Sequence, residues 1–277
     1  ALREARENRR YLPGIPLPPN LAVSDDLAAS VRAAELILAV IPSRAFAGLL
    51  RELKPHLRDT PLMWAIKGFE AGSGRLLSDV FHDTIGANHP HAILAGPSFA
   101  KEVAAGQPTA VTIAAADNTL AAHIAHYYHG SNFLCYTSND LIGIQVGGAV
   151  KNVIAIATGI ADGLGCGANA RAALITRGLR EITRLATALG AREETLMGLA
   201  GMGDLVLTCT DDQSRNRRFG LALGRGQSAA DAKAAIGQTV EGEGATHDTY
   251  TLAQAHGIRM PITTHLHHML ADAASLH

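Results

Sequence analysis

Between residues 36 and 136, short apolar runs alternate with stretches whose apolar positions recur every three or four residues. Leu36–Ile41 is a continuous apolar run ended by Pro42 and predicts a buried strand. Phe46, Leu49, Leu50, Leu53 and Leu57 then repeat at helical spacing. Leu62–Ile66 predicts the next strand, followed by a helix bearing Leu76, Leu77, Val80, Phe81 and Ile85. Ala92–Ala95 and Ala110–Ala114 predict two more strands, a helix covers Leu120–Tyr128, and Phe133–Tyr136 is the last strand. Such alternation predicts a parallel, doubly wound sheet of the Rossmann type.

After Asp140 the strand pattern stops. Helical periodicity covers Ile142–Ile160, Ala168–Leu189, Arg215–Leu223, Ala229–Ile236, Ala245–His256 and Ile262–Ala271. The chain therefore reads as α/β followed by all-α, with a nucleotide-type domain over 1–139 and a helical domain over 140–277. The break falls in the polar tetrapeptide Thr137–Asp140. A chain of 277 residues exceeds what one core usually holds, which agrees with two domains.

Composition narrows the partners. With 24 basic and 25 acidic residues the formal charge is −1, and the densest cationic segment, Arg3–Arg10, is interrupted by Glu4 and Glu7 and reads as a solvated helix face. Nucleic acid is a poor partner for such a chain. Cys135, Cys166 and Cys209 are odd in number and widely spaced, which suits a reducing, cytoplasmic setting rather than a disulfide framework. The most apolar stretch, Ile142–Ile160, carries Lys151 and Asn152 at its centre, so no transmembrane segment is expected. No signal peptide opens the chain.

Ligands of doubly wound sheets bind beyond the carboxyl ends of the strands. Those ends carry Pro42-Ser43, Lys67-Gly68 and Gly96-Pro97-Ser98. Each alone reads as an ordinary turn; three in succession read as a site. A dinucleotide fold opens with a Gly-x-Gly-x-x-Gly turn, yet none precedes Leu36. With Ala rather than Met at residue 1, the expectation is that the first unit of this sheet lies upstream.

Lys151 sits inside the apolar run Ile144–Ala157. A buried ammonium must find an anion or lose part of its charge, and a lysine so tuned can exchange a proton near neutral pH. The competing reading is a lysine whose stem packs while its head reaches water. Asp204, in Gly201-Met202-Gly203-Asp204, reads locally as a helix cap, or else as the counter-ion of a lysine. Ser214-Arg215-Asn216 opens a helical stretch, where free N–H groups and the dipole favour an anion such as phosphate. Arg217 and Arg218 add charge there. His123, His126 and His129 drift around their helix, and His265, His267 and His268 lack zinc-site spacing, so no metal is expected.

Together these pieces resemble one family. Asn8-Arg9-Arg10-Tyr11-Leu12-Pro13-Gly14, Val40-Ile41-Pro42-Ser43, Lys67-Gly68-Phe69-Glu70 and Gly96-Pro97-Ser98-Phe99-Ala100 are similar to segments of bacterial-type NAD(P)-dependent glycerol-3-phosphate dehydrogenases. So are Gly147-Gly148-Ala149-Val150-Lys151-Asn152, Gly201-Met202-Gly203-Asp204-Leu205, Ser214-Arg215-Asn216 and Val240-Glu241-Gly242, in the same order. The resemblance implies interconversion of sn-glycerol 3-phosphate and dihydroxyacetone phosphate with NAD or NADP, supplying glycerol 3-phosphate for phospholipid synthesis. It implies Lys151 as acid/base with Asn152 and Asp204 positioning it, and a substrate held by Lys67, Gly96, Ser98, Ser214, Arg215 and Asn216. Lys67, Ala100, Arg215, Thr239 and Glu241 would meet the cofactor. Partners are then small molecules, with a homodimer left open. Two rival readings stand beside it: a β-hydroxyacid dehydrogenase of the 6-phosphogluconate-dehydrogenase-like group, and a non-catalytic remnant.

Overall fold

The computed structural model describes residues 2–275. Five strands form one sheet in the order β1 (Ile37–Ala39), β2 (Leu62–Trp64), β3 (His91–Ala95), β4 (Thr109–Ala114) and β5 (Phe133–Ser138). β1, β2 and β3 run parallel, as do β4 and β5, but β3 and β4 are antiparallel, with Ile93 opposite Ala114. The expected sheet is thus predominantly parallel with one reversal. Between β3 and β4 the chain forms only the five-residue helix α5 (Ala100–Ala104), too short to cover a sheet face as a parallel crossover does. β1 takes only Ile37–Ala39 of its apolar run, and Val40 beyond its end is 66 % exposed. β5 is longer than predicted and takes Thr137 and Ser138 into the sheet.

Helices cover both faces. The side chains of Met63 and Trp64 go to opposite sides, as the strand period of two requires. On one side Trp64 packs between Phe46 of α3 (Phe46–Leu53) and Phe81 of α4 (Leu77–Thr84), with ring centroids 5.2 and 5.5 Å away, and α2 (Leu27–Ala33) adds Val31. On the other, Met63, Val111 and Ile113 meet Ile124 of α6 (Asn118–Tyr128). Asp26 and Asp117 cap α2 and α6, each accepting a backbone N–H at 2.8 Å.

The basic segment does not form the expected helix face. α1 is a single turn (Leu2–Ala5); Arg3 pairs with Asp25, and Arg6 donates to the carbonyls of Leu21 and Pro18. The guanidiniums bind carbonyls of the proline-rich loop, that of Pro18 accepting Leu21 N as well.

From Leu141 onward every element is helical: α7 (Leu141–Gly163), α8 (Gly167–Ala188), α9 (Glu193–Met197), a π turn (Leu199–Gly203), α10 (Asp204–Thr210), α11 (Arg215–Gly224), α12 (Ala229–Ile236), α13 (Glu241–Ala255) and α14 (Pro261–Ser275). Asp140 caps α7 through Gly143 N (2.8 Å) and also holds Arg192 N (2.9 Å). α7 is long and apolar enough to cross a membrane, yet 83 % of its most apolar window is buried inside this fold. It is the axis of the helical core.

α11 lies on α7 almost backbone to backbone. A Cβ on Gly159 would sit 2.2 Å from Arg217 O, and one on Gly220 would sit 2.1 Å from Ile156 O. Gly163 and Gly224 repeat the arrangement one turn on. Glycines four apart on both helices therefore fix the register that aims the start of α11 at the middle of α7.

The two cores interlock. Phe69, just beyond β2, is buried in the helical core, while Ile144 and Ala200 from the helical part are buried in the core beneath the sheet. Gln145 of α7 reaches Ser78 of α4, accepting from its N and donating to its Oγ, both at 3.0 Å.

Candidate active site

The carboxyl ends of β2 and β3 meet α7 and α10 around one carboxylate. Asp204 is 1 % exposed, and Lys151 donates to its Oδ1. Lys151 Nζ also donates to Thr208 Oγ1 at 2.9 Å. Lys67 Nζ lies 2.9 Å from Asp204 Oδ2 and donates to Gly96 O at 3.0 Å, which Ser98 Oγ reaches as well, at 3.1 Å. The stem of Lys67 crosses α7 where Gly148 has no side chain; a Cβ there would lie 3.7 Å from it. Gly96 holds φ at +135°, and a Cβ on it would meet Val111 Cα at 3.1 Å, so only glycine fits this strand end.

These contacts decide between the readings of the two charges. Lys151 is 5 % exposed and its head does not reach water, so it is not a snorkelling lysine. Asp204 opens α10, but its carboxylate faces the lysines and caps nothing. Burial pushes the Lys151 ammonium down from 10.5; Asp204 resists and Lys67 assists, leaving it at about 8. Burial alone would raise Asp204, but the two ammoniums overcome it and hold the carboxyl below its ordinary range. A buried and a partly buried cation share one anion. The site keeps a surplus positive charge suited to a developing oxyanion or a phosphate.

The start of α11 borders it. Ser214 caps the helix by accepting from Arg217 N (3.2 Å). Asn216 Nδ2 donates to Asn152 Oδ1 and its Oδ1 accepts Gly242 N, both at 2.9 Å, so Asn152 faces α11 rather than its neighbour Lys151. Half-buried Arg215 has its Nη1 3.5 Å from Gln238 Oε1. Arg217 does not add free charge: it is buried and pairs with Asp162 and Asp212, and its Nε bonds Cys209 O.

Beside Lys67 a cleft of about 360 Å³ runs between the strand ends and α12–α13, lined by Ser43, Arg44, Gly68, Thr239 and Glu241. A Cβ on Gly68 would come within 2.9 Å of Ser43 Oγ and narrow it. Burial raises Glu241, with Arg215 foremost among the cations opposing that shift. Ala100, the first residue of α5, lies outside the lining of this cleft.

The structure thus brings together Lys67, Gly96, Ser98, Lys151 and Asp204, with Ser214, Arg215, Asn216, Asn152, Thr239 and Glu241 around them. Sequence reading gave no site role to Thr208, noted only in the segment Thr208-Cys209-Thr210 ahead of Ser214, nor to Gln238. Thr208 was open to inference, standing one helical turn after Asp204 and so on the same face. Gln238 lies in a turn without periodicity. Cys209, beside Thr208, is no nucleophile: burial pushes its thiol up to about 12.

Two sequence models match the chain: the N-terminal part of NAD-dependent glycerol-3-phosphate dehydrogenase over 1–121 and its C-terminal part over 140–277. A glycerol-3-phosphate dehydrogenase [NAD(P)+] of Pectobacterium carotovorum is 52 % identical over 272 residues, 98 % of this chain and 80 % of that protein. The enzyme of that name from Thioalkalivibrio sulfidiphilus is 54 % identical over 98 % of this chain and 81 % of its own length. The crystal structure of glycerol-3-phosphate dehydrogenase from Coxiella burnetii superposes with a TM-score of 0.94 at 47 % identity, covering 98 % of this chain and 83 % of that one. A glycerol-3-phosphate dehydrogenase from Saccharomyces cerevisiae gives 0.84 at 28 % identity, over 97 % and 81 %. With both halves of the family's sequence pattern present around the lysine–aspartate–lysine centre, the chain belongs to the NAD-dependent glycerol-3-phosphate dehydrogenase family.

Proposed function

We propose that this protein interconverts sn-glycerol 3-phosphate and dihydroxyacetone phosphate with NAD(P)(H). The observation that carries the reading is a lysine tuned to about 8 inside a water-poor site of surplus positive charge. Such a lysine can act in both directions near neutrality: neutral, it takes the proton of the C2 hydroxyl; charged, it returns one to the C2 oxygen. When bound, the nicotinamide accepts or supplies the hydride at C2.

Asp204 holds Lys151 in place and offsets part of the charge, while Thr208 accepts a second Lys151 N–H. Lys67, fixed by Gly96 O and Asp204, adds a cation that does not need to reorient as the C2 oxygen gains charge. Ser98 shares its anchor at Gly96. Arg215, with Ser214 and Asn216 at the start of α11, receives the phosphate. Asn152 acts through Asn216, keeping that receptor on α7. The cleft of Lys67, Thr239 and Glu241 fits the nicotinamide end of the cofactor, with Arg215 reaching it from the phosphate side and Ala100 meeting the cofactor beyond the cleft. Three free thiols suit action in the cytoplasm, and the boundary near residue 140 divides a cofactor-side domain from a substrate-side one.

The test compares sn-glycerol 3-phosphate with glycerol and with a 3-hydroxy carboxylate, following nicotinamide reduction. Turnover confined to the phosphorylated polyol is the expected result; faster turnover of the carboxylate overturns the proposal.

A further inference from the structure

Residues 211–214 alone link α10 to α11, and each side of that link carries part of the candidate site. Asp204 and Thr208 stand on α10 and hold Lys151; Ser214, Arg215 and Asn216 open α11. One buried side chain with no part in the chemistry proposed above ties the two together. Arg217 is 7 % exposed, and its planar fork reaches three elements. Its Nε donates at 3.1 Å to Cys209 O, in the last turn of α10, where intrahelical partners run out. Its Nη1 pairs with Asp212 inside the link, and its Nη2 donates to Asp162 Oδ2 at 2.6 Å. Asp162 lies on α7 about three turns after Lys151 and also takes Arg171 of α8 at 2.8 Å.

Seating α11 on α7 does not need this side chain. The close approaches at Gly159, Gly163, Gly220 and Gly224 set that register through the backbone. What the glycines leave free is the end of α10 and the link, and these are what the guanidinium grips. Paired with two carboxylates, Arg217 offers no spare charge to compete with Arg215 for an anion. A lysine in its place would keep the charge and lose the fork.

We propose that Arg217 is a positioning residue: it fixes the spacing between the acid/base centre on α7 and α10 and the phosphate receptor at the start of α11, touching neither substrate nor cofactor. The assignment rests on the roles of Lys151 and Arg215 proposed above. A receptor displaced by about 1 Å still binds phosphate through Arg215 but presents C2 badly to Lys151, an error that costs on the order of a hundredfold in rate.

The experiment compares wild type with Arg217→Lys, Asp212→Asn and Arg171→Gln, by steady-state oxidation of glycerol 3-phosphate across pH and by amide hydrogen exchange. Arg217→Lys should lower kcat about tenfold or more, with KM changed by less than about threefold, and should keep the inflection at about 8 that belongs to Lys151. Exchange should quicken over residues 208–216 and stay slow over 219–224, where the glycines hold. Asp212 is exposed, so Asp212→Asn keeps the fold and should lower kcat by about two- to fivefold. Arg171→Gln removes an ion pair of Asp162 away from the link and should leave kcat and KM as they are. A lower thermal midpoint in Arg217→Lys with kcat and KM unchanged, or faster exchange along all of α11, overturns the assignment. So does a rise in KM at constant kcat, which would put Arg217 on the phosphate itself. Should Arg217→Lys fail to fold, an unchanged kcat in Asp212→Asn overturns it equally. A wild type that leaves glycerol 3-phosphate untouched refutes the function proposed above, and hydrogen exchange still decides the place of Arg217.

Discussion

Lys151 and Asp204 face each other in one ion pair, yet replacing them should have unequal consequences for stability. Asp204→Asn leaves two ammoniums, Lys151 and Lys67, against a neutral amide in a buried site. Removing the shared partner of buried charges costs about 3–5 kcal/mol. Lys151→Met leaves Asp204 still paired with Lys67, and methionine keeps an unbranched stem of similar volume among Val150, Val153 and Ile154, so the change should stay within about 1 kcal/mol. The pH dependence gives an independent check. A lysine at about 8 in the fold against 10.5 unfolded means that the folded state gives up its proton first. Below about 8 both states are charged and burial of the charge disfavours the fold; between about 8 and 10.5 the unfolded chain binds the extra proton and stability rises with pH. Urea unfolding of wild type, Lys151→Met and Asp204→Asn, below and above the Lys151 value, measures both effects. Lys151→Met should abolish the rise, and its turnover should fall by about 10²–10⁴. Equal losses of stability in the two variants, or a surviving rise in Lys151→Met, would refute this account of the pair.

Other outcomes follow from the same geometry. Oxidation of glycerol 3-phosphate should quicken as pH rises toward and past about 8, while reduction of dihydroxyacetone phosphate should slow over the same interval, because one needs neutral and the other charged Lys151; parallel profiles would contradict the role of Lys151. Arg215→Ala should raise KM for the phosphorylated substrate by roughly ten- to a hundredfold, whereas Arg225→Ala, at the exposed end of α11, should not; steady-state kinetics on both variants decides. Gly220→Ala should cost about 1–3 kcal/mol or more, since the new Cβ would lie 2.1 Å from Ile156 O. Gly48→Ala, with open space inside α3, should stabilise by about 0.5–1 kcal/mol, as denaturation midpoints will show.

The alternation of apolar runs with helical spacing made the sheet and the helix series legible, because strands buried on both faces leave continuous runs. The β3–β4 reversal was hidden: direction depends on what the connection does in space, and residues 96–108 look alike for either. Lys151 was legible as a charge inside Ile144–Ala157. Its partner carries no local mark, being a carboxylate 53 residues away: Asp204 reads locally as a helix opener first and a counter-ion second, and only the resemblance ties it to Lys151. Arg217 and Arg215 are indistinguishable in sequence as basic residues of one helix start. Only packing shows that Asp162 and Asp212 neutralise the first while the second stays free for a ligand.

Phe69 has a mechanical meaning. It stands two residues from Lys67, and its ring is locked in the helical core, while Ile144 and Ala200 are locked beneath the sheet. Swinging the two parts open would expose that ring, worth about 1.5–3 kcal/mol of burial, and separate Lys67 from Asp204 as well. Packing as well as charge therefore opposes separation of the two parts. A protease cut near residue 140 should nick the chain without freeing two folded pieces.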